Sequence, residues 1–258
     1  MRKFLLMIIL LLSLCSCDSS SLSNDSTHST PEPTTSDRFI TAAPITPSPE
    51  PLHSEFYISE LPVEDVIRYF NEVSLDAEFV NGGDPQKIQK WNSPIYYYIF
   101  GDPTEADLLK LDDLCDWLNG ISGFPGIFPT ESQYDANLII YFCDYDTMIQ
   151  ILGDQFYGND AGVTFWYDNN VIYDAKICIR TDLSQELRNS VILEEVYNGL
   201  GPIQDTVLRP DSVIYSDFSQ PQELSQIDEL LMELLYHPDI KCGMNAAECE
   251  AIIHKLYY

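Results

Sequence analysis

Residues 193–201 read Leu193-Glu194-Glu195-Val196-Tyr197-Asn198-Gly199-Leu200-Gly201 and form the end of a strong helix. Ser184 suits its N-cap, its body runs over residues 185–198, and Gly199 and Gly201 end it. Leu187, Val191, Glu194 and Asn198 fall on one stripe, while Ile192, Val196 and Gly199 fall on another, so the spacing predicts a helix buried on several sides. Glu194 and Asn198 stand at i and i+4 with Glu195 beside them, which lets their oxygens converge on one face.

Upstream, residues 163–167 and 171–173 flank Asp168-Asn169-Asn170 as a hairpin, and residues 176–180 read as a further strand leading into the helix. Residues 95–100, Ile-Tyr-Tyr-Tyr-Ile-Phe, are rich in β formers, and alternation should turn half of these aromatics toward a core. Asp102-Pro103-Thr104-Glu105 then opens a helix with Leu108, Leu111, Cys115 and Leu118 on one stripe, and residues 137–142 form another short apolar run. Strand, helix and strand in this order predict a βαβ unit with a parallel pair. An amphipathic helix starts near Leu61, where Val63, Val66, Ile67, Phe70 and Val73 recur at three and four; Gly82-Gly83-Asp84-Pro85 is a turn. Downstream come helices over residues 223–236 and 245–256, separated at His237-Pro238, the last with Asn245 and Glu248 as a capping-box pair. The expectation is an α+β domain over residues 55–258, with a mixed sheet, a long central helix and a helical C-terminal third.

The chain has 258 residues and carries 13 Lys+Arg against 41 Asp+Glu, a formal charge of −28. Scattered single cations in that acidic background exclude phosphate-backbone binding, so no nucleic-acid partner is expected. With 45% hydrophobic residues the chain is nevertheless too apolar to be disordered throughout.

Arg2 and Lys3 precede a nearly unbroken apolar run over residues 4–12, and Leu14-Cys15-Ser16-Cys17 follows. This reads as a secretion signal over residues 1–16, its apolar part too short to span a bilayer of about 30 Å. The tetrapeptide ending at Cys17 resembles a bacterial lipobox, which implies cleavage before Cys17 and palmitate-type lipidation of that residue. The protein would then be anchored to the cell membrane on its extracytoplasmic face. An ordinary cleaved signal with two incidental cysteines is the alternative. Cleavage removes two cations and no acid, taking the charge from −28 to −30. Residues 18–54, rich in Ser, Thr and Pro, read as a disordered tether.

Residues 194–201 look like the zinc-peptidase pattern His-Glu-x-x-His-x-Leu-Gly, in which two histidines bind the metal and the glutamate activates water. Here Glu195 takes the general-base position, while Glu194 and Asn198 replace the histidines. Phe70-Asn71-Glu72, Lys90-Trp91, Gly101-Asp102-Pro103-Thr104, the 194–201 run and Leu235-Tyr236-His237-Pro238 together resemble an uncharacterised family of secreted bacterial lipoproteins, domain of unknown function 2927. The resemblance implies a zincin-like domain and no established activity. Of four histidines, His28 and His53 lie in or beside the tether, and His237 and His254 are not one helical turn apart. No zinc is therefore expected.

Three readings stay open. In one, the domain has lost its zinc ligands and serves as a non-catalytic module that binds an envelope protein or peptide. In another, a divergent metal-dependent hydrolase uses Glu195 as base and holds a divalent cation on the oxygens of Glu194, Asn198 and Asp205, with His237 as a further ligand. A structural role, in which these acids only hold neighbouring loops, is the third. No Gly-x-Ser-x-Gly elbow, phosphate-binding Gly-rich loop or Cys-x-x-Cys pair is present. Cys242 and Cys249 are close enough in sequence to close a small disulfide loop, while Cys115, Cys143 and Cys178 read as buried small hydrophobes.

Overall fold

Alternation along residues 95–100 does what the pattern requires: Ile95 and Tyr97 are buried, and Tyr96 points to solvent. In the computed structural model, which describes residues 56, 58, 61–75, 87–217 and 220–257, this run is one of six strands. The signal, Cys17, the tether and the 82–85 turn lie outside the described residues. Chain order is α1 (Val63–Leu75), β1 (Lys90–Trp91), β2 (Ile95–Gly101), α2 (Glu105–Gly120), β3 (Ile127–Pro129), β4 (Leu138–Cys143), α3 (Tyr145–Leu152), a 3-10 turn (Asp154–Phe156), β5 (Ala161–Asp168), β6 (Val171–Arg180), α4 (Gln185–Asn198), α5 (Gln226–Tyr236) and α6 (Ala246–Leu256).

The architecture is mixed α/β, built on a largely parallel sheet of order β1-β6-β4-β2-β3, with β5 antiparallel on β6. The expected βαβ unit is present, since β2 and β4 pair in parallel from Tyr97↔Leu138 to Gly101↔Phe142 with α2 between them in sequence. β4 in turn pairs β6 from Leu138↔Ala175 to Cys143↔Arg180. The 168–170 hairpin also forms: Asn169 and Asn170 both take positive φ, 50° and 66°, the conformation a two-residue hairpin turn demands. Residues 171–180, read as two strands, are one, because β6 stays paired along its length with β5. Among the described residues no helix is long and apolar enough to cross a membrane.

The two faces of the sheet bury different clusters. Ile140, Ala175, Ile177 and Ile179 join the main core with α1, α4 and α5. On the other face, Cys178 packs with Met148, Ile149, Leu152 and Phe156 of α3 and the turn after it. α1 buries Val63, Val66, Ile67, Phe70 and Val73 as its spacing predicts. α2 departs from its predicted stripe: Leu108 is 38% exposed and Asp107 is buried instead. The cause is the capping box, in which the Asp107 carboxylate accepts from Thr104 N at 2.8 Å and turns that face of the first turn inward. α2, with 16 residues, is also longer than the central α4, with 14.

Candidate functional site

α4 starts where Ser184 Oγ accepts from Leu187 N and Arg188 reaches across to Asp107 at 3.1 Å. Arg188 also donates to Thr181 O at 2.9 Å and to Gln185 Oε1 at 2.6 Å. Burial works to raise the Asp107 pKa, but hydrogen bonds from Thr104, Gln185 and Arg188 outweigh it and hold the carboxyl below its usual range. Every residue from 190 to 198 is then buried, with the helix laid against α2, β5 and β6. Its far end is held by three bonds: Tyr197 Oη donates to Asp228 O at 2.8 Å, Trp91 Nε1 to Gly199 O at 2.9 Å, and Tyr236 Oη to Leu200 O at 2.7 Å. Gly201 follows at φ 132°, where a Cβ would lie 2.6 Å from Gln89 O, so only glycine lets α4 end against β1.

Three of the predicted site residues lie inside the protein, and Asp205 is half-buried. Glu194, Glu195 and Asn198 are 5%, 6% and 5% exposed. Desolvation, reinforced by Asp205, pushes the Glu195 carboxyl up to about 8. Desolvation raises Glu194 well above its ordinary value, with the negative fields of Glu195, Asp205 and Asp160 adding to it. With its pKa near 8 the Glu195 carboxyl is mainly protonated at neutral pH, and Glu194 is shifted in the same direction. Asp160 is itself paired with Arg180 at 3.0 Å. His237 stands elsewhere, at the C-cap of α5, and the charges that act on it are Asp239, Lys90 and Lys241. His254 pairs within its own helix with Glu250 at 3.7 Å.

A zinc centre needs deprotonated sulfur, nitrogen or carboxylate donors arranged around one point. Among the described residues no three His, Cys, Asp or Glu side chains could share a metal ion. Asn198 Oδ1 is a buried acceptor without a hydrogen-bond partner, but one amide oxygen beside two carboxyls whose burial favours the neutral form is not a zinc donor set. The residues present do not fit the metal that the helix motif implies.

The expected Cys242–Cys249 bridge is not formed: both cysteines are free. Cys242 Sγ is turned toward Lys90 O at 3.6 Å, and Cys249 is buried in the main core. Cys115 and Cys178 are buried as read, while Cys143 is half-buried.

Sequence reasoning gave Lys90 no role, yet its side chain is the most unusual cation described. It is 7% exposed, donates from Nζ to Leu235 O and Ile240 O at 2.6 Å each, and lies 5.2 Å from the centre of the Tyr236 ring. Desolvation is the main cause that lowers its pKa to about 8. The Lys90-Trp91 pair, one of the motifs that carry the family resemblance, was the hint available. Lys90, Trp91, Tyr236, Ile240, Lys241 and Cys242 contribute to the lining of a cavity of about 400 Å³.

No curated protein matches the chain. The model of a family described as a protein of unknown function, DUF2927, matches residues 63–255. Four of the motifs singled out in the sequence fall at structural joints: Trp91 on Gly199, Tyr236 on Leu200, Thr104 within the Asp107–Arg188 network, and Glu72 accepting from Thr206 Oγ1 and Val207 N. The chain belongs to the DUF2927 family.

Proposed function

We propose that the protein is an extracytoplasmic lipoprotein, anchored through Cys17 and spaced from the membrane by residues 18–54, whose zincin-like domain is a non-catalytic binding module of the cell envelope. One observation carries the non-catalytic part. Glu194, Glu195 and Asn198, the positions that would do the chemistry, are buried on a helix packed against α2, β5 and β6. A general base must come within hydrogen-bond reach of its substrate. Glu195 is instead a buried group of a helix packed against α2 and the β5–β6 hairpin. The zincin-like reading is supported by a hairpin, β5 and β6, leading straight into α4 and by the mixed sheet, with the acidic helix standing where such a domain keeps its metal.

The anchor and the inert helix are tested together in cells fed an alkyne-labelled palmitate. The wild-type chain should take up label and fractionate with membranes, and Cys17→Ala should do neither. Labelling that survives in Cys17→Ala contradicts the anchor. Metal-dependent peptide hydrolysis by the purified chain that disappears in Glu195→Gln contradicts the non-catalytic module.

A further inference from the structure

Lys90 and Lys241 line one cavity with no Asp or Glu among its lining residues, in a chain where acids outnumber bases 41 to 13. Buried ammonium groups ordinarily meet a carboxylate, because an ion taken out of water needs compensation. Lys90 has two carbonyl oxygens and an aromatic face, and no carboxylate pairs with it among the described residues. An ammonium has three donors, and two are used here.

The walls are set before any ligand arrives. Trp91 spends its indole N–H on Gly199 O and Tyr236 its hydroxyl on Leu200 O, and both are 1% exposed, so they back the cavity while Pro125 and Pro238 present its accessible apolar surface. Ile240, also buried, lies behind them, and Cys242 Sγ, bonded to Lys90 O, fixes one side of the rim. At about 400 Å³ the cavity sits near the small end of ligand sites, room for one or two rings. No arginine lines it, and a phosphate would ask for more donors than one spare ammonium proton and one rim lysine supply.

We propose that this cavity binds a small carboxylate-bearing molecule, its carboxylate placed between Lys90 and Lys241 and its apolar body against Pro125 and Pro238. The bound carboxylate supplies the counter-ion that Lys90 lacks. This deepens the binding-module reading by naming a ligand class and a site, and it rests on that reading only for its biological role. None of its residues belongs to α4. Metal or hydrolysis at Glu195 would overturn the non-catalytic module and leave this site standing, whereas failure here would leave α4 inert as before.

The test is calorimetric titration of the full chain in detergent with two matched pairs, benzoate against benzamide and indole-3-acetate against indole-3-acetamide. At least one acid should bind saturably below about 10 mM, and its amide should bind at least about tenfold more weakly. Lys241→Gln, at the exposed rim, should weaken the acid about three- to tenfold with the melting temperature unchanged. Lys90→Met should abolish binding, judged only if its melting curve remains cooperative. Absence of saturable binding by both acids, equal binding of acid and amide, or full acid affinity in Lys241→Gln overturns the proposal.

Discussion

Arg188 Nε lies 3.1 Å from Asp107 Oδ1 with both side chains withdrawn from solvent, so the first turn of α4 is fastened to the first turn of α2. Removing one partner strands the other as a buried charge. Asp107→Ala should cost about 3–5 kcal/mol, which at this domain size lowers the melting temperature by about 8 °C or more. The double variant Asp107→Leu with Arg188→Met should recover most of that loss, because neither charge is then left unpaired. Additive losses in thermal melts would show that the two residues act separately.

Glu195 makes stability depend on pH in an unusual direction. Its folded pKa, raised to about 8, lies above the unfolded value, so the folded chain holds a proton that the unfolded chain releases. The contribution is complete below about pH 4.5 and is lost as pH rises toward 8. Glu194 and Asp228, both raised by burial, act with the same sign; His237, lowered chiefly by burial, opposes them weakly. The melting temperature should be at least about 4 °C higher at pH 5.5 than at pH 8, a difference of about 1–2 kcal/mol. Glu195→Gln should flatten this profile and be more stable than wild type at pH 8. A wild-type profile that rises over this range contradicts the protonated core.

Asp228 joins three parts of the chain. Its carboxyl accepts from Ser212 Oγ at 2.7 Å, Val213 N at 3.1 Å, and Ser225 N and Oγ at 2.9 and 2.8 Å, while Tyr69 Oη of α1 lies 3.4 Å away. Asp228→Ala removes a helix cap and leaves several buried donors unpaired, at a cost of about 3 kcal/mol. Denaturant unfolding of wild type and variant measures this. A change below about 0.5 kcal/mol would mean that water replaces the carboxyl at no cost.

With Cys242 and Cys249 unjoined, Cys242→Ser in non-reducing buffer should shift the melting temperature by no more than about 2 °C, as for other surface changes. A fall equivalent to about 2–4 kcal/mol would be the signature of a disulfide.

Much of the frame was legible because it is local. The Asn169-Asn170 hairpin, the Ser184 cap and the Asn245–Glu248 capping box each rest on a few adjacent residues, and all are present. β1 and β3, two and three residues long, carry too little pattern to detect, and α3 offers only Met148, Ile149 and Leu152 over two turns. Adjacent glutamates on a helix ordinarily leave one in water. That Glu194 and Glu195 are both interior follows from wrapping by distant segments, which no local window contains. The Lys90 cavity has the same character: its walls come from β1, the loop after α2 and the chain around the end of α5, brought together only by the fold.

The central claim, that α4 is a protonated interior helix and not a metal centre, is tested most directly by elemental analysis of the full chain after saturation with zinc and calcium and removal of free ions. The expected result is less than about 0.1 metal per chain, since protonated carboxyls must ionise before they can bind. One zinc or calcium per chain, lost in Glu194→Gln or Glu195→Gln, would contradict it.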